Sequence, residues 1–165
     1  MKKAVIAAVL AMQAAGALAA APAGSVSAAD PGAIAEVLEF AGYKAIIETD
    51  DLGDPMIKTE LGGWPTTIYF YGCDETTHQG CDALRLEAGF DRATPWNGDE
   101  SMKIAEKFRF AAVYLDKEGD PWIAWDILTG DGIPTKVFLR AMREFGATLD
   151  SASEIAFAEE NAAAE

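Results

Sequence analysis

The segment Asp50-Asp51-Leu52-Gly53-Asp54-Pro55-Met56-Ile57 returns later as Asp116-Lys117-Glu118-Gly119-Asp120-Pro121-Trp122-Ile123. Both read D-x-x-G-D-P-apolar-Ile, and both lie between runs rich in β-branched and aromatic residues. Each part of the pattern has a local task. Asp opens a turn by bonding its own backbone, and Gly takes the left-handed position where a side chain would clash. Pro follows at the first residue of a strand, where a missing N–H is tolerated. The echo therefore predicts two acidic β-hairpins of like construction, and hairpins are what the rest of the chain must fold around.

The remaining signals fit that constraint. Asp30-Pro31 is an N-cap with Pro at the first helical position. Ile34, Val37, Leu38 and Ala41 recur at helical spacing before Gly42, giving a helix over Pro31 to Ala41. Strands are expected at Lys44–Thr49, Met56–Leu61, Thr66–Tyr71 and Ala83–Phe90, with Gly62-Gly63 breaking the second from the third. Leu84, Leu86, Ala88 and Phe90 share one face. A short helix over Glu100–Phe108 puts Met102, Ala105 and Phe108 roughly on one side. Strands follow at Phe110–Leu115 and Trp122–Leu128. Pro134 opens the longest helix, with Val137, Phe138, Ala141, Met142 and Phe145 as its buried stripe and Gly146 as a stop or kink. Ser151 to Glu165, rich in Ala and Glu, reads as a frayed helical tail. Strands in hairpin-linked runs argue for an α+β domain: an antiparallel sheet with packed helices, in the order α-β-β-β-β-α-β-β-α.

Met1-Lys2-Lys3 and the apolar, Ala-rich run to about Ala21 have the layout of a secretory signal. Cleavage could follow Ala19, Ala21, Ala28 or Ala29, and Val26-Ser27-Ala28 is the favoured recognition sequence. The expected division is a signal peptide over 1–28, one domain over 30–149, and a tail over 150–165. After the leader, no apolar run of spanning length follows, so no membrane insertion is expected once it is removed. The chain has 13 basic and 27 acidic residues, a formal charge of −14. Such a surface repels nucleic acid and anionic headgroups and favours cationic partners.

Cys73 and Cys81 are the only cysteines. In an oxidising compartment so close a pair reads as a disulfide clipping two arms of a hairpin, at about 2–3 kcal/mol by the loop-entropy argument. Free thiols, or a metal site adding His78 with Asp74 or Asp82, are the alternatives. The cysteine spacing matches no standard zinc pattern.

Catalytic signals are sparse. His78 is the one histidine; Thr76 and Thr77 adjoin it only in sequence, and it reads as an exposed loop residue. The chain contains no G-x-S-x-G, H-E-x-x-H, Walker or Rossmann pattern. The clusters Asp50, Asp51, Asp54 and Asp116, Glu118, Asp120 invite calcium but lack the EF-hand order. Asp126, between Trp125 and Ile127, is the most interesting acid: a buried carboxylate there would have a raised pKa, while a structural or solvent-facing one would not. No cofactor is expected.

The last strand is apolar on both faces. Trp122, Ala124 and Leu128 lie on one, Ile123, Trp125 and Ile127 on the other; Ile68 and Phe70 oppose Tyr69 and Tyr71 in the same way. Either helices cover both faces, or one face meets a partner. Tyr69, Tyr71, Trp122 and Trp125 are the candidate partner-binding residues.

Tyr69-Phe70-Tyr71-Gly72-Cys73, Cys81 and Leu86-Glu87-Ala88-Gly89-Phe90-Asp91 together resemble exported YbjN-domain proteins. So do Arg109-Phe110-Ala111-Ala112-Val113-Tyr114-Leu115-Asp116, Gly119-Asp120-Pro121, Asp126, and Gly132-Ile133 before a long helix. The resemblance spans about Ala33 to Phe145. Where members often carry Trp-Asn just before the Arg-Phe, this chain has Ile104 and Ala105, with Trp96-Asn97 standing earlier. The resemblance implies an α+β fold like type III secretion chaperones, frequent dimers, binding of other proteins and a sensory-transduction role. It implies no catalytic residues.

Three readings follow. The first is a non-enzymatic protein-binding or regulatory module of the cell envelope, periplasmic or else secreted, with a protein or peptide partner or a homodimer. The second is a hydrolase or metal-dependent enzyme using Asp126 or the His78 loop. The third is a structural or stress-buffering envelope protein.

Overall fold

A computed structural model describes residues 24–163. Most of the expected signal segment, residues 1–23, lies outside the described residues. The elements are β1 (Ser25–Val26), α1 (Pro31–Phe40), β2 (Ile46–Thr49), β3 (Pro55–Leu61), β4 (Trp64–Tyr71) and β5 (Ala83–Gly89). They continue with α2 (Gly98–Ala105), β6 (Ala112–Leu115), β7 (Pro121–Leu128), β8 (Ile133–Pro134), α3 (Thr135–Ala156) and α4 (Ala158–Ala163). The domain is α+β, and its main sheet is antiparallel with strand order β2-β3-β4-β5-β7-β6. Added to the expected elements are α4 and a second, two-stranded sheet in which β1 pairs with β8.

The two echoed segments build the same turn. In the first, Asp50 Oδ1 accepts from the Leu52 and Asp54 N–H groups, and Asp50 N–H donates to the Asp54 carbonyl at 2.9 Å. In the second, Asp116 Oδ1 accepts from Glu118 and Asp120, and Asp116 N–H donates to the Asp120 carbonyl at 3.0 Å. Pro55 and Pro121 open β3 and β7. Successive antiparallel pairings from β3 through β4 and β5 to β7 put the two turns at opposite ends of the sheet.

Strand alternation sends Ile57, Leu61, Ile68, Phe70, Leu84, Leu86, Ala88 and Ile123 to one face, all fully buried. Against them pack Ile34, Val37 and Leu38 of α1 and Phe138, Met142, Phe145 and Leu149 of α3. The helices thus cover one face of the sheet and leave the other open. Asp30 caps α1 as expected, accepting from Ala33 N–H at 3.0 Å.

Four expectations change. Gly146 neither stops nor kinks α3. It sits where the helix meets the β3–β4 turn backbone to backbone, and a Cβ there would come within 2.9 Å of Gly62 N. The stretch beyond Ser151 is not frayed in the described residues: Ala152 and Ala156 are fully buried, and Phe157 stacks on Trp64 at 6.3 Å. In α2 the buried residue is Ile104, while Met102 is half exposed. The reason is that α2 begins early, at a capping box in which Asn97 and Glu100 satisfy each other's backbone N–H groups. Val137 of the expected α3 stripe is likewise half exposed.

Candidate functional site

The open face is assembled by register. Across the strands run Glu48, Met56, Tyr69, Arg85 and Asp126 in one row, and Ile46, Lys58, Thr67, Glu87, Ala124 and Ala112 in the next. Beyond them Gly89, Trp122 and Tyr114 line up at one end, and Tyr71, Ala83 and Leu128 at the other.

Three of the four candidate partner-binding residues, Tyr69, Tyr71 and Trp122, come together here. Trp125 does not. It lies three positions from Trp122, an odd offset that puts it on the opposite face of a strand. There its ring meets Phe145 edge-on at 6.1 Å and Phe110 at 5.0 Å. Tyr114, which joins the open face from the edge strand β6, was not among the sequence candidates. The alternation of Ala112 and Tyr114 against Val113 and Leu115 is the signal that finds it.

Trp122 is held in one pose. Its indole N–H donates to Asp116 Oδ2 at 3.1 Å, and Tyr114 stacks on it at 6.3 Å. Below it the neighbouring strand carries Gly89, where a Cβ would lie 2.6 Å from the indole. Glycine is therefore what lets the ring lie flat on the sheet.

Arg85 sits at the centre with its charge satisfied. Its Nε meets Glu87 Oε1 at 2.6 Å, and its Nη1 reaches both oxygens of Asp126 at 3.1 Å. Burial alone would lower the guanidinium pKa. Hydrogen bonding to Glu87 and the charge of Asp126 outweigh it, and the net direction is up. Asp126 is not buried: it is ion-paired and solvent-facing. Glu87 also acts on the tyrosines. Tyr114 is pushed up to about 12, first by burial and then by repulsion from and hydrogen bonding to Glu87. Tyr69 and Tyr71 rise too, by burial and then Glu87. All three hydroxyls therefore stay protonated at neutral pH, as hydrogen-bond donors rather than bases or nucleophiles. Beside Trp122 the face deepens into a cleft of about 340 Å³, whose lining includes Lys58, Glu87, Asp91, Asp116 and Asp120.

The disulfide loop lies apart from this chemistry. Cys73 and Cys81 are bonded to each other, so neither offers a thiolate to a metal. His78 lies in a loop with its side chain partly exposed, as expected, and in addition its Nδ1 pairs with Asp54 at 2.8 Å, with its backbone at φ +55°. In the echoed turns Asp50 and Asp116 turn an oxygen onto their own backbone, while Asp54 holds His78 and Asp120 accepts from the Arg92 N–H. Among the described residues, no group of three or more His, Cys, Asp or Glu is placed to hold a metal ion.

A family model described as "Putative bacterial sensory transduction regulator", YbjN, matches residues 30–154. The chain belongs to the YbjN family. Among curated proteins none matches the chain. The description of the family is that of a regulator. A disulfide belongs to an oxidising compartment, and among the described residues no helix is long and apolar enough to cross a membrane.

Proposed function

We propose that this YbjN-family chain is an exported, non-enzymatic protein-binding module of the cell envelope, most simply periplasmic, with a regulatory role. The observation that carries the reading is the uncovered sheet face. It presents Trp122, Tyr69, Tyr71 and Tyr114 around an Arg85–Glu87–Asp126 network that holds its charges in fixed places. Aromatic rings with a polar tip are what protein interfaces concentrate at their centres. The basic n-region and the disulfide support export. The surplus of acid, on this face and in the chain as a whole, favours a basic partner and works against stacking two copies face to face.

The test is capture of partners from an envelope extract, using the oxidised native protein beside a Tyr69→Ala/Trp122→Ala variant. The expected result is a discrete partner held by the native protein, released as salt is raised, and reduced at least tenfold on the variant at an unchanged far-UV spectrum. Equal capture by both proteins would remove the open face from the reading. A native protein that holds nothing specific would remove the binding function itself.

A further inference from the structure

The chain between the apolar leader and α1 is built into the fold. Val26 is 2% exposed and Ala28 is fully buried, both within the hydrophobic core. β1 pairs residue for residue with β8, Ser25 with Pro134 and Val26 with Ile133. The Thr135 N–H donates to the Gly24 carbonyl at 3.1 Å. Ala28 N–H donates to Thr129 Oγ1 at 2.9 Å, and that hydroxyl in turn donates to the Asp82 carbonyl at the start of β5. Ser27 Oγ donates to the Gly130 carbonyl at 2.8 Å. A chain cut after Ala28 would lose all of these. It would leave β8 unpaired, the buried Thr129 hydroxyl short of a donor and two core positions vacant.

We propose that the leader is removed upstream of Gly24, at Ala17-Leu18-Ala19, and that Gly24–Ala28 remains in the mature protein as a structural strand. The inference rests on the export reading above. In sequence, Ala17-Leu18-Ala19 offers small residues one and three positions before the cut, as Val26-Ser27-Ala28 does. It follows directly on an apolar run from Ala4 to Gly16, within the usual length of a signal's apolar core. A cut after Ala21 would place the Pro22 ring nitrogen in the scissile bond, a tertiary amide that fits poorly in a protease site. The step is hydrolysis of the Ala19–Ala20 peptide bond by the leader peptidase of the exporting cell. Water adds across the bond, leaving a carboxylate on Ala19 and a free amine on Ala20.

The experiment is mass determination of the N-terminal peptide of the full precursor after export and recovery from the envelope. The expected peptide begins at Ala20 and contains Gly24 to Ala28. A mature chain that begins at Ala29 or Asp30 overturns the proposal while leaving export intact, as does an uncut chain in the envelope; an uncut chain absent from the envelope overturns both. A second measurement is independent of the terminal peptide. Val26→Ser keeps a small residue at the alternative recognition site, so it would vanish with the leader if the cut followed Ala28. In the exported protein it is expected to lower Tm by roughly 5–10 °C; an unchanged Tm overturns the proposal.

Discussion

The first echoed turn, Asp50–Asp54, and the second, Asp116–Asp120, share one backbone and differ in what surrounds them. The first touches the rest of the protein mainly through a side chain: Asp54 holds His78, whose ring lies 3.1 Å from where a Gly53 Cβ would be. The second is stitched in by backbone. The Trp96 N–H donates to the Gly119 carbonyl at 2.9 Å, and the Arg92 N–H donates to Asp120 Oδ1 at 2.9 Å. Pro95 packs directly on Gly119. Arg92 itself is buried, donating to the Ala156 carbonyl and pairing with Glu160 at 3.4 Å. So the second turn is joined to the C-terminal helices, and the first to a loop closed by a disulfide. A shared local pattern thus sets a turn's shape, while the loop it meets sets how much depends on it.

The comparison is tested most severely at its glycines. Gly119 has φ +85°, and a Cβ there would lie 2.6 Å from Pro95 Cβ, which cannot swing aside. Gly119→Ala should cost about 3 kcal/mol, combining left-handed strain with overpacking. Gly53 has φ +97°, but its neighbour is the flexible edge of His78. Gly53→Ala should cost about 1–2 kcal/mol, from the strain and a lesser crowding of the His78 ring. Urea melts of the two variants check the ranking. Equal losses would mean that the surroundings of the turns do not matter.

The disulfide sharpens the same contrast. Replacing both Cys73 and Cys81 with Ser should cost about 2.5 kcal/mol, from the entropy returned to the unfolded chain. The loop that carries His78 is then freer to yield, so Gly53→Ala should cost about 0.5–1 kcal/mol less in that background than in the native one. Gly119→Ala, at the opposite end of the sheet, should add to the serine pair within about 0.5 kcal/mol. A double-mutant cycle by urea denaturation measures both. Coupling to Gly119 rather than to Gly53 would reverse the assignment of neighbours.

How far this was legible in sequence follows from how local each cause is. The turns, the Asp30 cap, the Cys73–Cys81 pairing and the order of elements along the chain rest on causes within a few residues, and their patterns name them directly, whereas the pairing of β5 with β7, which sets Ala83 against Leu128, does not. The open face was half legible. Period two separates Tyr69 and Tyr71 from Phe70, and the same rule separates Trp122 from Trp125, yet nothing in one strand says which face the helices will take. The partners of single charges were hidden. Arg85 reaches Asp126 across 41 positions, Arg92 reaches Ala156 across 64, and Asp54 finds His78 only because the hairpins fold beside one another. Gly146 looked like a helix stop for the same reason: its need is a neighbour from the β3–β4 hairpin, far off in sequence, which no local pattern contains.

The finest test separates the turns by charge. Asp116 carries a carboxyl held below its ordinary 3.8, first by the Asp120 backbone N–H and then by the Trp122 indole. A carboxylate lowered in the folded state contributes stability that is fully present above the unfolded value and is lost as pH falls through the folded one. The window therefore opens near pH 4 and extends downward. Asn at this position keeps an oxygen to accept from the Glu118 and Asp120 N–H groups but carries no charge to titrate. Asp116→Asn should thus show a Tm that falls less steeply between about pH 4 and pH 2 than that of the native protein. Thermal melts followed by circular dichroism across that range decide it. Parallel curves for the two proteins would mean that the charge on Asp116 is idle and that hydrogen-bond geometry alone holds the second turn.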